Sequence, residues 1–229
     1  MKNFIKIITM TIAILTCLTI FSGCNVNYND LTNVFSSNNT NSKISDKSNI
    51  TSSVSDLIDS INVSEPYETE YDRDKYTSSY QHYTNYLGEE FTSIRKYAFY
   101  SSVNYDPDTD IYTDPYDCNN YSLKETDYDH IIPLHYVNQH GGDNWSDDKK
   151  KEYADDPTVG VDVNAHDNRA KGDKGPSEWL PSENVDDYCY TWLVVANKYN
   201  ISISQEDMNV IISEINNSTD GLKLINEYR

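Results

Sequence analysis

The chain has 229 residues, with 18 Lys+Arg against 37 Asp+Glu, and a formal net charge of -19. Attachment to nucleic acid by bulk electrostatics rests on neutralising phosphates, so this balance excludes a histone-like or basic-tail binder. It leaves room for a small site that handles phosphate through a metal ion. The length suits one domain with additions, and a hydrophobic share of 37% leaves part of the chain outside a core. Tyr is in excess, 20 residues against 5 Phe and 3 Trp. Tyr covers a core edge while its hydroxyl stays wet, which suits an extracellular protein with a polar surface.

At the start, Lys2 and Lys6 precede an apolar run from Ile7 to Phe21, followed by Ser22, Gly23 and Cys24. A positive start, a short apolar stretch and small residues before a cut describe a secretory signal, residues 1–23. The run is short for a membrane-spanning helix. The stretch Phe21-Ser22-Gly23-Cys24 resembles the bacterial lipoprotein box, with Phe21 where Leu is usual. That resemblance implies lipidation of Cys24 and a tether to the outer face of a membrane. Cutting after Gly23 removes two Lys and no acid, so the mature charge is -19 - 2 = -21. Cys17 leaves with the signal, and Cys118 and Cys189 remain as the thiols to pair; two thiols in an exported protein most often form one structural disulfide.

From Asn25 to Ser55, 19 of 31 residues are Ser, Thr or Asn, the composition of a flexible spacer. The tether is set at 24–64, with a short amphipathic turn suggested by the spacing of Val54, Leu57, Ile58 and Ile61. Residues 65–89 are rich in Tyr and acid and have no clear assignment. A domain is expected over 90–203. Within it Ser93–Val103 suits a strand or short helix, and Asp106–Tyr116 reads as turns between short strands. Asp106, Asp108 and Asp110 alternate like Ca²⁺ ligands, but the Gly and distant Glu of an EF-hand loop are missing. The spacing of Tyr188, Trp192, Val195, Ala196 and Tyr199 predicts a helix. Ser204 with Asp207 predicts a capped second helix over Gln205–Asn216, in a C-terminal extension 204–229.

The chemistry-bearing stretch runs from Tyr128 to Pro181. It holds Asp129-His130-Ile131-Ile132-Pro133-Leu134, a polar loop, a Val-rich strand over Val159–Val163, and then Asn168-Arg169-Ala170-Lys171-Gly172-Asp173-Lys174. Hydrolysis of a phosphodiester needs a base to activate water and a cation to neutralise developing charge. Asp129 is a hard oxygen ligand for Mg²⁺ or a similar ion. His130 titrates near neutral pH and is the natural base. Neighbours on a strand face opposite sides, so bringing both into one site needs a bulge or a strand end. Asn168 offers a carbonyl oxygen to the metal; Arg169, Lys171 and Lys174 offer charge to phosphate. Against this, Asp-His pairs arise by chance, mixed charged stretches usually line a solvated helix, and Trp179 and Leu180 read as core.

These residues, with Asn144-Trp145, Tyr153-Ala154-Asp155-Asp156-Pro157 and Gly175-Pro176-Ser177-Glu178-Trp179-Leu180-Pro181, resemble the exported branch of the HNH endonuclease superfamily. The resemblance covers roughly 90–203, about half the chain. It implies an α+β fold with a ββα-metal core, in which two antiparallel strands and a helix cradle one divalent cation. It makes Asp129 and Asn168 the metal ligands and His130 the general base. It puts Arg169, Lys171 and Lys174 near substrate phosphate, has Asp173 brace the helix and lets His166 assist the metal. It also supports a Cys118–Cys189 bridge. The implied cofactor is Mg²⁺ or Mn²⁺, with Zn²⁺ or Ca²⁺ as alternatives. The implied partners are nucleic acid, DNA before RNA, and the membrane through the lipid, with no protein partner.

One departure stands out. The family usually carries Asn in the short second strand, bracing the loop that bears the base, and this chain has Val159 there. Asp162 or Asn164 is left to substitute, or orientation of the base suffers. His135 and His140 lie in the loop after the first strand, within possible reach of phosphate. The leading expectation is a surface-anchored, metal-dependent endonuclease. The alternative is a catalytically degenerate HNH-fold binding lipoprotein of the cell envelope.

Overall fold

A computed structural model describes residues 52–219 and 221–227. The signal sequence, the Cys24 lipidation site and most of the tether lie outside the described residues. The fold is mixed α+β. No helix among the described residues is long and apolar enough to cross a membrane.

The core is built around two C-terminal helices. In α6 (Val185–Tyr199) the buried side chains Tyr188, Trp192, Val195 and Tyr199 recur at helical spacing. In α7 (Gln205–Asn217) Met208, Ile211, Ile212 and Ile215 form the matching stripe. The turn between them is closed by Asn200 in the left-handed region at φ 54°, a conformation Asn tolerates well. Ser204 caps α7 as its sequence suggests: its Oγ accepts from the Asp207 N–H and donates to Asp207 Oδ2 at 2.7 Å. Asp207 also accepts from Tyr136 Oη at 2.7 Å and the Ser177 N–H at 2.8 Å. A Cβ at Gly175 would fall 2.4 Å from Asp207 Oδ2, so only Gly lets this loop approach the carboxylate.

Sequence placed residues 52–64 in the tether, but they join this core. The helix α1 (Ser52–Ser60) buries Val54 and Ile58. Val63 bridges Ile203 in parallel, and the Ser64 N–H donates to the Ile203 carbonyl at 3.0 Å. The unassigned segment 65–89 is likewise packed. Its short 3₁₀ turn, Arg73–Tyr76, buries Tyr76, whose hydroxyl donates to Asn138 Oδ1 at 3.2 Å.

Among the described residues, three small antiparallel sheets complete the fold. Strands β1 (Tyr83–Thr84) and β2 (Glu90–Phe91) make a hairpin. Residues Ile94–Ser101 form a helix, α2, rather than a strand. The meander β3 (Tyr105–Asp106), β4 (Ile111–Thr113) and β5 (Asn120–Tyr121) follows, with Asp106, Asp108 and Asp110 in its first turn. There Asp106 accepts from Thr109 and Asp110 accepts from Tyr105, so these carboxylates close a turn. The third sheet pairs β6 (Thr126–His130) with β7 (Gly160–Asn164), Asp129 opposite Val161 and His130 opposite Gly160.

The chain between β6 and β7 is not a loop. It forms α3 (Leu134–Gln139) and α4 (Asp147–Asp155), joined by 3₁₀ turns. Ser146 caps α4 by accepting from the Lys149 N–H, and Asp147 and Asp148 fill its positively polarised first turn. Directly after β7 comes α5 (Ala165–Lys171). The Asn164 side chain caps it by accepting from the Asp167 N–H, and Gly172 at φ 58° ends it.

Candidate active site

Alternation along β6 sends Tyr128 and His130 to one face and Asp127 and Asp129 to the other. The helix α5 packs on the second face: Arg169 Nη2 lies 3.4 Å from Asp127 Oδ2, and Lys171 Nζ lies 2.7 Å from Asp129 Oδ1. Asn168 sits one turn from Lys171, on the same face of α5. Asp129 and His130 therefore diverge as side chains and meet through the strand end. There Lys171 Nζ also donates to the His130 carbonyl at 2.8 Å.

Asp129 is 4% exposed, and Tyr116 Oη donates to its Oδ2 at 2.6 Å. Tyr116 is placed by Asp114, whose buried carboxylate accepts the N–H groups of Tyr116 at 2.7 Å and Asn164 at 2.5 Å. This ties the loop bearing Tyr116 to the end of β7. Burial pushes Asp129 up and Lys171 down from their ordinary ranges, and their mutual contact opposes both shifts. Burial and the Asp129 charge keep the Tyr116 proton on, so it serves as a donor.

The His130 ring lies against Tyr128 at 5.2 Å and Tyr153 at 6.1 Å. Its Nε2 is 3.0 Å from the Ala154 carbonyl in the last turn of α4. A carbonyl only accepts, which assigns the proton to Nε2 and the lone pair to Nδ1. Burial lowers the His130 pKa to about 4; the Lys171 and Arg73 charges act the same way, and the Ala154 bond opposes them. The imidazole is thus neutral at physiological pH.

The remaining expected residues sort by position. Arg169 and Lys174 are exposed, and Lys174 Nζ donates to the Ala170 carbonyl at 2.8 Å. Lys171 was expected at substrate phosphate. It is instead fully buried, its ammonium spent on Asp129 and His130. Asp173 pairs with His135 Nδ1 at 2.8 Å, and that bond holds its carboxyl below the usual range. His166 is exposed and contacts Asp167 at 3.2 Å. His140 is a core residue, stacked 4.0 Å from Tyr136, and burial lowers its pKa to about 4. Val159 is also core. Neither candidate substitute braces the base. Asp162 is fully buried 3.7 Å from Arg95 Nε, while Asn164 spends its side chain on α5, Asp117 and Asp167. The Ala154 carbonyl does the bracing.

The expected Cys118–Cys189 bridge is not formed. Both thiols are free: Cys118 is exposed at φ 57°, and Cys189 is sealed in the core by α6. Among the described residues, no three His, Cys, Asp or Glu side chains are grouped as metal ligands.

Three participants escaped the sequence reading. The Ala154 carbonyl carries no residue-type signal. Tyr116 was one tyrosine among many. Arg73 came from the unassigned segment; it is exposed and acts electrostatically on His130 and on Tyr71, whose ring lies 4.9 Å from His135.

No family model matches this chain, and no solved structure matches it. Among curated proteins it is similar to an uncharacterized secreted protein of Arthroderma benhamiae, 28% identical over 110 residues. The match takes in 44% of this chain and 52% of that protein, so the chain spans about half the length of the curated relative it matches.

Proposed function

We propose that this chain is an extracellular phosphodiester hydrolase of the ββα-metal type, acting on nucleic acid, DNA before RNA. One observation carries the reading. Two antiparallel strands and the helix that follows them hold Lys171 against Asp129 and the His130 carbonyl at one strand end, with the neutral His130 ring on the opposite face and Asn168 one helical turn before Lys171. The secretion recorded for the curated relative and the export signal support an outside location. Attachment through a lipid on Cys24 completes the proposal.

In this reading His130 is the general base. Its Nδ1 takes a proton from water while the water oxygen bonds to phosphorus. The bond to the leaving oxygen then breaks, and that oxygen takes up a proton to leave as an alcohol. The exposed Arg73, Arg169 and Lys174 hold the phosphate oxygens. A divalent ion such as Mg²⁺ or Mn²⁺ supplies charge neutralisation when bound, and its donors would be Asp129 and Asn168. As arranged these do not fit an ion, because Lys171 and Tyr116 hold both oxygens of a carboxylate that is 4% exposed. That same engagement favours a second reading, a binding lipoprotein that has lost catalysis.

Plasmid cleavage by purified protein, with Mg²⁺ or Mn²⁺ supplied, decides between them. The hydrolase reading expects wild type to cut and His130→Ala to be slower by about 10²–10⁴-fold. Intact DNA and RNA with both proteins would leave only the binding reading.

A further inference from the structure

Away from β6 and α5, the surface opens into a cavity of about 440 Å³ lined by the β1–β2 hairpin, α2 and β3. That volume is in the range that takes a small organic ligand. The walls are rings and carboxylates. Phe91 of β2 and Tyr100 of α2 lie nearly parallel with centroids 6.4 Å apart, and Tyr105 of β3 stands at 89° to Tyr100 at 5.1 Å. Tyr86 adds a fourth ring from the hairpin turn, and Glu89 and Glu90 line the same opening. Among the described residues that line it, none is Lys or Arg.

The turn that carries Tyr86 is fixed in place. Asn85 is buried; its Oδ1 accepts from the N–H groups of Leu87 at 3.1 Å and Glu89 at 2.9 Å, and its Nδ2 donates to Glu89 Oε2 at 2.8 Å. Gly88 supplies the left-handed residue the turn needs, at φ 80°. Tyr86 and Leu87 are thereby held out in water, 67% and 64% exposed. Large apolar side chains gathered at an opening mark a binding site rather than a core.

The opening is negative twice over. Aromatic faces carry the negative part of the ring quadrupole, and the two glutamates carry full charge. Burial and the bond from Tyr105 Oη to Asp110 Oδ1, 2.9 Å long, push the Tyr105 phenol up to about 12, and the Asp106 charge adds to the shift. Glu90 has His82 at 3.9 Å, an exposed contact that solvent screens. Rings and carboxylates together attract an organic cation. A primary ammonium would bring three donors that need acceptors, yet one Glu89 oxygen is already bonded and most of the wall is ring. A cation sheathed in methyl groups has no donor to satisfy. We propose that this cavity binds a small quaternary ammonium ligand, its trimethylammonium head against Tyr100 and Tyr105, with Glu89 and Glu90 as counter-charge. The chain's net charge of -19 favours the approach of such a cation.

Calorimetric titration of the purified full chain with choline tests this. The control is the neutral isostere of choline, with carbon in place of nitrogen. Choline should saturate a single site and bind at least about tenfold more tightly than the isostere. Tyr100→Leu should weaken choline by about fivefold or more. Glu90→Gln keeps the side-chain shape and should weaken choline at low salt, with the loss fading at high salt. Equal affinity for choline and its isostere reduces the site to an apolar hollow and overturns the proposal. Choline binding that both variants leave unchanged lies elsewhere and overturns it as well. So does failure of choline to bind, whether or not a neutral sugar such as cellobiose takes the rings instead. If Tyr100→Leu does not fold, the isostere and Glu90→Gln still decide. The readout is independent of nucleic-acid cleavage.

Discussion

His130 combines a bonded Nε2 with a free Nδ1 and a pKa near 4. A base must be unprotonated to work, so activity should be lost only as pH falls through about 4. An unperturbed histidine would lose half its activity near 6.5. A rate profile flat from neutral pH down to about 5 is the expected result, and a midpoint near 6.5 would contradict it. Asp162 makes a prediction of opposite sign. Burial raises its pKa to about 7, so its charged form is disfavoured in the fold. The penalty is present above about pH 7 and is relieved as pH falls through that value. Asp162→Asn should therefore raise the melting temperature relative to wild type at about pH 8, and the gain should shrink toward pH 5. A gain independent of pH would show that Asp162 is not a strained carboxylate.

Among the elements, α5 matters most because it carries Asn168 and brings Lys171 to the strand end. It is short, so its caps weigh heavily. Asn164→Ala removes the N-cap and the bonds to Asp117 and Asp167. A loss of about 1–2 kcal/mol is expected by denaturant titration, with lower turnover as Asn168 and Lys171 loosen. Unchanged stability would mean that packing alone sets the helix. The stripes of α6 and α7 and the Ser204 cap could be read from sequence, since 3.6-residue periodicity and capping chemistry are local. The helices between β6 and β7 were misread as loop. Acid and lysine hide the apolar face of α4, although Ser146-Asp147-Asp148 was a legible start signal. Residues 93–103 stayed ambiguous because a short apolar run does not distinguish strand from helix.

Across the molecule, folded structure begins earlier than composition suggests. Removing residues 1–51 should leave cleavage intact. Extending the cut through residue 64 removes the α1 contacts of Val54 and Ile58 and the Val63 bridge, and should lower the melting temperature clearly. Equal melting of the two truncations would make α1 an appendage. Under the hydrolase proposal, a net charge of -19 would leave phosphate binding to a few local cations. Arg73→Gln should weaken binding of a short duplex to the His130→Ala protein and reduce the salt slope by about 0.9. An unchanged slope would remove Arg73 from the substrate surface.

By itself the sequence determined the α+β content and the C-terminal helices, and it named the residues worth testing. Those depend on periodicity, capping and residue type, which are local properties of the chain. Tertiary structure alone decided that Lys171 is an internal cation, that Ala154 braces His130, and that the charge of Arg73 acts on His130. Each of these depends on which groups are brought together from distant segments. Spacing along a chain cannot report whether a lysine at a helix end turns outward to water or inward to a buried carboxylate.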